Sequence, residues 1–205
     1  MRYGLKWLTL VVLTAALAPL ADNPDFLHGN GMLVPAAMAQ SAEERKVEAD
    51  RLLEQGIEQA NVSQFREALQ SWEQALAIYR EIGDRQGEGS ALGNLGIAYR
   101  NLGQYERAID FYEQRLAIAR DIGDRAGEGS ALGNLGSAYD SLGQYERAID
   151  FHEQSLAIAR EIPDRVWEGI SLDSLGNAYF SLGQYERAID FFEQYLAIAR
   201  EIENR

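Results

Sequence analysis

Few side chains in this sequence have the types and spacing that catalysis requires. The two histidines are His28 and His152, and His152 stands where related segments carry Tyr112 and Phe192. A single histidine in such a position is more typical of a packed core residue than of a catalyst. The glycine-rich segment at 87–93 lacks the spacing of a phosphate-binding loop, and no predicted strand precedes it. With no nucleophile–base pair and no metal-ligand spacing, we predict a non-enzymatic protein without metal or cofactor.

The charge of the chain excludes two classes of partner. The formal net charge is −13 at pH 7. Nucleic-acid binding and attachment to an anionic membrane surface both require a basic footprint, so we predict neither. The sequence contains no cysteine, which excludes disulfides and thiol chemistry and fits either redox compartment.

The chain repeats itself every 40 residues. The segment 86–125 (QGEGSALGNLGIAYRNLGQYERAIDFYEQRLAIARDIGDR) differs from the segment 126–165 at only 8 of 40 positions, and 166–205 is a further copy. Residues 46–85 form a weaker first copy. Self-similarity at a fixed period of this length is typical of stacked units, each of which buries its apolar face on the next. We therefore predict one repeat domain, over residues 40–205.

Each copy contains two apolar patterns of helical period. Leu92, Leu95 and Tyr99 belong to the first pattern, and glycine at 103 favours a helix end because it adopts a left-handed conformation at no cost. The second pattern ends before Gly123, and the aspartate after it can cap the next helix. No segment alternates with period two. Each unit is therefore predicted to be an antiparallel helix pair with no sheet.

Two predictions concern the charged residues of the repeat. Arg107 and Asp110 are three residues apart, and this spacing, which recurs at 147/150 and 187/190, predicts an ion pair within one helix. The many aspartates and glutamates recur with the repeat and are interpreted as solvated helix faces.

The first 39 residues form a different kind of sequence. Arg2 and Lys6 precede an apolar run at 7–18, and small residues at 37 and 39 match a signal-peptidase site. This pattern predicts a signal peptide cleaved after Ala39 and export of the chain to the periplasm or the extracellular space. Because the apolar run lies far from that site, retention as an N-terminal membrane anchor is the alternative. Ser41 and Glu44 form a capping box that predicts the start of the first helix.

The repeat resembles the tetratricopeptide repeat (TPR). The motif Leu95-Gly96-x-x-Tyr99, followed by Ala108 and an aromatic residue at 112, recurs one and two repeats later. The length and residue pattern of the repeat are similar to those of the 40-residue subclass found in kinesin light chains, G-protein-signalling modulators and cyanobacterial proteins. The resemblance implies an all-α, right-handed α-solenoid of four stacked helix–turn–helix repeats, at about 46–85, 86–125, 126–165 and 166–205. One departure is notable: the alanine usual seven positions after Ala108 is Arg115, and its counterparts are serine and tyrosine.

The resemblance also implies where a partner binds. In TPR proteins the first helix of each repeat lines a concave groove, and asparagines at the positions of Asn94 and Asn134 hydrogen-bond the backbone of an extended peptide. An amide suits that role because it both donates and accepts. The alternative for these two residues is a structural amide that bridges neighbouring helices. The predicted groove residues are Asn94, Ile97, Arg100, Asn101, Asn134, Ser137, Asp140, Ser174, Asn177 and Phe180.

The last copy has an unusual aromatic content. Phe191, Phe192 and Tyr195 crowd its second helix, and no further copy follows in this sequence. Because solenoids end on polar capping helices, these residues predict a contact patch, either for a homodimer or for the continuation of a longer chain.

The function predicted from these observations is a protein-interaction scaffold that binds an extended peptide or protein segment in its groove. Two alternatives stay open. The chain is a structural module that dimerises through its C-terminal helix, or it is the recognition arm of a larger TPR-containing protein.

Overall fold

A computed structural model describes residues 36–162 and 164–203 of the chain. These residues form eight helices and no strand, which confirms the prediction of an all-α fold. The helices are α1 (Ala36–Asn61), α2 (Phe65–Ile82), α3 (Arg85–Asn101), α4 (Tyr105–Ile122), α5 (Arg125–Ser141), α6 (Tyr145–Glu161), α7 (Arg165–Ser181) and α8 (Tyr185–Glu203). The charged and apolar segments of the predicted leader lie at 1–35, outside the described residues.

The helices begin and end at the residues whose chemistry favours a boundary. Asp84 and Asp124 accept hydrogen bonds from the backbone N–H of Gly87 (2.9 Å) and Gly127 (2.8 Å), which satisfies free donors at the starts of α3 and α5. Gly103 adopts φ 73° in the turn after α3, as predicted. The prediction for the first helix was wrong: α1 begins at Ala36, so Ser41 lies inside the helix and is not its N-cap.

Within each helix pair a glycine of the first helix faces a ring of the second. A Cβ atom at Gly96 would lie 2.4 Å from the ring of Tyr112, so only glycine permits the observed approach. The same contact joins Gly136 to His152 and Gly176 to Phe192. These contacts fix the two helices of a pair close together, and His152 accordingly is a packed residue, only 1% exposed.

A second repeated contact joins the first helix to the second in each of the last three pairs. Tyr99 stacks on Phe111 with 5.2 Å between the ring centroids, and the guanidinium of Arg107 lies over the Tyr99 ring at 5.4 Å. Arg107 also donates a hydrogen bond to Gln104. The predicted ion pair between Arg107 and Asp110 is therefore wrong: the arginine turns toward the aromatic ring, because a cation is attracted to the electron-rich face of the ring.

One glutamate in each later repeat is buried, which corrects the interpretation of the acidic residues as solvated. Glu128 is 9% exposed and accepts hydrogen bonds from Arg120 (2.8 Å) and Arg125 (2.5 Å). Glu88 and Glu168 have the same two arginine partners in their own repeats. These carboxylates join the second helix of one repeat to the first helix of the next, and two cations compensate their burial.

The packing order of the helices defines an inner and an outer layer. Each helix contacts the next one along the chain, and the odd-numbered helices also contact one another: α1 with α3, α3 with α5, and α5 with α7. Among the described residues no such contact joins the even-numbered helices. Residues 36–203 therefore form an α-solenoid whose inner, concave side is lined by the odd helices. None of the described helices has a stretch that is both long and apolar enough to span a membrane.

Candidate binding groove

The predicted groove residues lie on the inner layer, on α3, α5 and α7. Three of them are exposed, namely Asn101, Asn177 and Phe180. The other seven are half-buried. We call the surface that the ten residues form the groove. The helices that carry the groove residues are anchored in the core by Leu95, Leu135 and Leu175, which are fully buried.

Two amides of the groove are free. The side chains of Asn94 and Asn134 are half-buried, and neither makes a hydrogen bond to another described residue. Neither amide therefore bridges neighbouring helices, as a structural role would require. The two residues stand 40 positions apart, at the same place on α3 and α5, so they present two equivalent pairs of donor and acceptor groups to the groove.

Four other predicted residues use their polar groups within their own helix. Asn101 donates to the carbonyl of Ile97 at 2.8 Å, and Asn177 donates to that of Asp173 at 3.0 Å. The hydroxyl groups of Ser137 and Ser174 likewise donate to the carbonyl four residues earlier. Since these hydrogen bonds would have to be exchanged on binding, Asn94 and Asn134 are the better placed amides for a ligand.

Repeat two places two unpaired cations beside a buried hydroxyl. The Nη1 atom of Arg115 lies 2.6 Å from where a Cβ atom at Gly93 would stand, so its half-buried guanidinium covers α3 at the groove. Neither Arg115 nor Arg100 forms an ion pair or hydrogen bond with a described residue. The hydroxyl of Tyr112 is buried and has no hydrogen-bond partner. Burial lowers the pKa of the Arg115 guanidinium, against the opposing effect of Asp124 and Tyr112. Burial also raises the pKa of Tyr112 to about 12, against the opposing effect of Arg100 and Arg115.

Repeat three places a carboxylate at the equivalent position. Asp140 stands where repeat two has Arg100, and its Oδ2 atom lies 3.0 Å from Nε2 of His152. Its other oxygen, Oδ1, is buried without a hydrogen-bond partner. Ser155 replaces Arg115, and because serine is short a cleft of about 180 Å³ opens beside it. The cleft is lined by Asn134, Ser137 and Ser174 among others.

The sequence shows that these positions differ between repeats, but it does not show which of them are in contact. The side chains at 100 and 112, and at 140 and 152, are 12 residues apart on facing helices, and the second pair is in direct contact. The signal that could have found them is that both positions change together. Repeat two combines Arg100 with Tyr112, repeat three combines Asp140 with His152, and repeat four combines Phe180 with Phe192. Matched changes at a fixed spacing indicate contact rather than independent drift.

A model of the tetratricopeptide repeat family matches residues 56–121 and 123–201. The chain belongs to the tetratricopeptide repeat family. The matched residues extend from α1 to α8, so the family accounts for the described solenoid. TPRs are generally non-enzymatic modules for protein interaction. No group of three or more potential metal ligands occurs among the described residues.

Solved structures show the same TPR fold. BtubC (BKLC) from P. vanneervenii is 22% identical with a TM-score of 0.71, over 77% of this chain and 65% of BtubC. A Podosopora anserina kinesin light chain with nearly identical TPR-like repeats is 24% identical with a TM-score of 0.65, over 77% of each chain. A Rap protein in complex with Competence and Sporulation Factor is 20% identical with a TM-score of 0.71, over 80% of this chain and 44% of the Rap protein. A comparison with curated proteins gives no match.

The last TPR exposes an apolar surface, which includes one of the three residues predicted for it. Phe191 is half-buried because it stacks on Tyr179 at 5.4 Å, and Phe192 is half-buried against Gly176. Of the three predicted residues only Tyr195 is exposed. Among the described residues, eight of the twelve exposed large apolar side chains lie on α7 and α8: Val166, Ile170, Phe180, Tyr185, Ile189, Tyr195, Leu196 and Ile202.

Part of this apolar surface is a cleft between α7 and α8. It has a volume of about 300 Å³, and Ile170, Tyr195 and Ile202 are among its lining residues. In the preceding TPR the equivalent place is filled from the next helix, where a Cβ atom at Gly129 would lie 2.2 Å from the ring of Trp167. No described helix fills the cleft between α7 and α8.

Proposed function

We propose that the groove binds an extended protein segment through its backbone. Asn94 and Asn134 each donate to a carbonyl and accept from an N–H of the segment, and the side chains between them select among sequences. Backbone pairing by amides is independent of sequence, so it supplies the common part of the affinity.

The single observation that carries this proposal is the free state of the two amides. Because these amides are not bonded within the protein, a ligand can pair with them without breaking an internal hydrogen bond. The family supports the proposal, because TPRs are generally interaction modules. The likeness to a Rap protein in complex with Competence and Sporulation Factor supports it further.

The test compares two pairs of alanine substitutions. Peptides that bind the full chain are first selected from a random 12-residue display library, and their affinities are then measured by fluorescence anisotropy. We expect Asn94→Ala with Asn134→Ala to weaken binding at least tenfold, since each substitution removes two hydrogen bonds to the segment. The matched control is Asn101→Ala with Asn177→Ala, which removes amides already bonded to their own helix and should change affinity less than threefold.

A specific outcome contradicts the proposal. If the two pairs of substitutions weaken binding equally, the free amides do not carry it. If Asn94→Ala with Asn134→Ala lowers the melting temperature as much as it lowers affinity, the two residues are structural.

The apolar surface of α7 and α8 favours a second function, self-association of two copies through this end. Ile170 and Leu196 are 59% and 48% exposed, and burying such side chains against a second copy is favourable by about 1.5–3 kcal/mol each. Light scattering of the full chain at high micromolar concentration should show a dimer, and Ile170→Lys with Leu196→Lys should return it to a monomer. A monomer in the unsubstituted protein contradicts this function.

Export of the chain is proposed on its sequence alone, from the leader at 1–39. Fractionation of the expressing cell, with mass spectrometry of the mature N-terminus, tests it. A chain that keeps Met1 and stays in the cytosol contradicts it.

A further inference from the structure

We propose that the groove recognises two opposite charges in succession, an acidic side chain over TPR two and a basic side chain over TPR three. This inference rests on the proposed function, since both side chains belong to the same extended segment. It adds the chemical class of the partner: a segment with an acidic and a basic residue about three positions apart.

The acidic side chain is matched by the cations of repeat two. Arg100 and Arg115 lack ion pairs in a chain of net charge −13, although the arginines at 80, 85, 120 and 125 all pair with glutamates. Arg115 is also half-buried over Gly93, and the carboxylate of Asp124 acts on its charge without forming an ion pair, so a direct anionic partner would be favourable. The buried hydroxyl of Tyr112 is a donor without an acceptor. A carboxylate bound in the groove supplies acceptors for the two guanidinium groups.

The basic side chain is matched by the carboxylate of repeat three. Asp140 has one oxygen on His152 and the other, Oδ1, buried without a partner. The Asp140 side chain is 28% exposed. An ammonium or guanidinium group in the groove can therefore reach the carboxylate after a small rotation of the Asp140 side chain. Asp173, half-buried on the neighbouring α7, adds a second negative charge to this part of the groove.

The two charge sites are equivalent positions of successive repeats, so their separation follows from helix packing. Helices α3 and α5 are in contact, and packed helices lie roughly 8–10 Å apart. A segment in the extended polyproline II conformation advances roughly 3.1 Å per residue and brings every third side chain to the same face. The acidic and basic side chains therefore lie roughly three residues apart in the bound segment.

The sharpest test exchanges the two charge sites. The chain itself offers the substitutions, because each residue introduced already stands at the equivalent place in another TPR. Repeat two receives Arg100→Asp, Tyr112→His and Arg115→Ser, and repeat three receives Asp140→Arg, His152→Tyr and Ser155→Arg. Both introduced rings face a glycine, Gly96 or Gly136, so the helix pairs keep their contacts. Circular dichroism and thermal melting verify that the exchanged protein folds.

The readout is the order of charges in peptides selected from the random library by the full chain. We expect the unsubstituted protein to select an acidic and a basic residue about three positions apart in one fixed order, and the exchanged protein to select the opposite order. Arg115→Ser alone provides a second variant that keeps repeat three intact. It should reduce affinity for the selected acidic peptides about tenfold, which corresponds to the loss of one charge-assisted contact, and leave the basic preference unchanged.

The outcomes separate this inference from the proposed function. Selected peptides that depend on Asn94 and Asn134 but show no paired charges overturn the charge inference and leave the groove function in place. An order of charges that stays the same after the exchange also overturns it. If no selected peptide depends on the two asparagines, the proposed function itself fails.

Discussion

The contact between Gly96 and Tyr112 predicts that one substitution has opposite effects at two places on the same helix. A Cβ atom at Gly96 would lie 2.4 Å from the Tyr112 ring, whereas a Cβ atom at Gly89 would lie 3.5 Å from Ile118, an ordinary contact distance. We therefore expect Gly96→Ala to destabilise the protein and Gly89→Ala to stabilise it. Both glycines belong to α3, which carries Asn94 and Arg100.

The magnitudes follow from two opposing effects. Alanine is favoured over glycine inside a helix by about 1 kcal/mol, and this gain applies to both positions. At Gly96 the ring must also move by about 1 Å to reach a normal separation, and because Tyr112 is fully buried it has no free space. Overpacking of this kind costs about 1–3 kcal/mol. The two variants should therefore differ by about 1–3 kcal/mol in the free energy of unfolding.

Urea denaturation followed by circular dichroism measures the difference, and melting temperature provides a second reading. At this chain length each kcal/mol corresponds to about 2–4 °C. A double-mutant cycle with Tyr112→Ala serves as the control, since removing the ring should remove the penalty of Gly96→Ala. If Gly96→Ala is as stable as Gly89→Ala, or keeps its penalty without the ring, the packing argument is refuted.

Three further predictions concern single residues. The hydrogen bond from Arg120, aided by Arg125 and opposed by burial, holds the pKa of Glu128 below its ordinary value. The ionised Glu128 carboxylate therefore contributes fully to stability above about pH 4.3, and this contribution is lost as the pH falls through the folded-state pKa. Between pH 7 and pH 3 the urea midpoint of Glu128→Gln should fall less steeply than that of the unsubstituted protein. Asp124→Ala removes the cap of α5 and should cost about 1 kcal/mol, with Asp124→Asn as the control that keeps an acceptor. Tyr112→Phe removes a buried hydroxyl that has no partner, so it should leave the protein equally stable or stabilise it by about 1 kcal/mol in urea denaturation; a loss above 1 kcal/mol contradicts the assignment of an unpartnered group.

The helix pairs and the boundaries of the later helices could be predicted because their causes are local, whereas the start predicted for α1 at Ser41 was wrong. Helical periodicity, the glycine at 103 and the aspartates at 84 and 124 act on their own neighbours in the chain, and the structure places each as expected. The roles of the charged residues could not be predicted in this way. Arg107 had two partners within reach, an aspartate three residues on and an aromatic ring eight residues back, and the sequence alone does not rank them.

Contacts between repeats were the least predictable part. Glu128 has the same local surroundings in sequence as an exposed glutamate, and only the approach of α4 to α5 buries it between two arginines. The candidate site shows the same limit. Asn94 and Asn101 are both asparagines on α3, but one amide is free and the other bonds to its own helix. That difference arises from side-chain rotamers and neighbours, which no periodicity encodes.

The most direct test of the central claim is a chemical-shift map of the ¹⁵N-labelled full chain with a selected peptide. If the concave side is the binding surface, the perturbed amides will lie on α3, α5 and α7, with the side-chain NH₂ groups of Asn94 and Asn134 among the largest shifts. Perturbations confined to α2, α4 and α6, or to the exposed apolar end at α8, would contradict it.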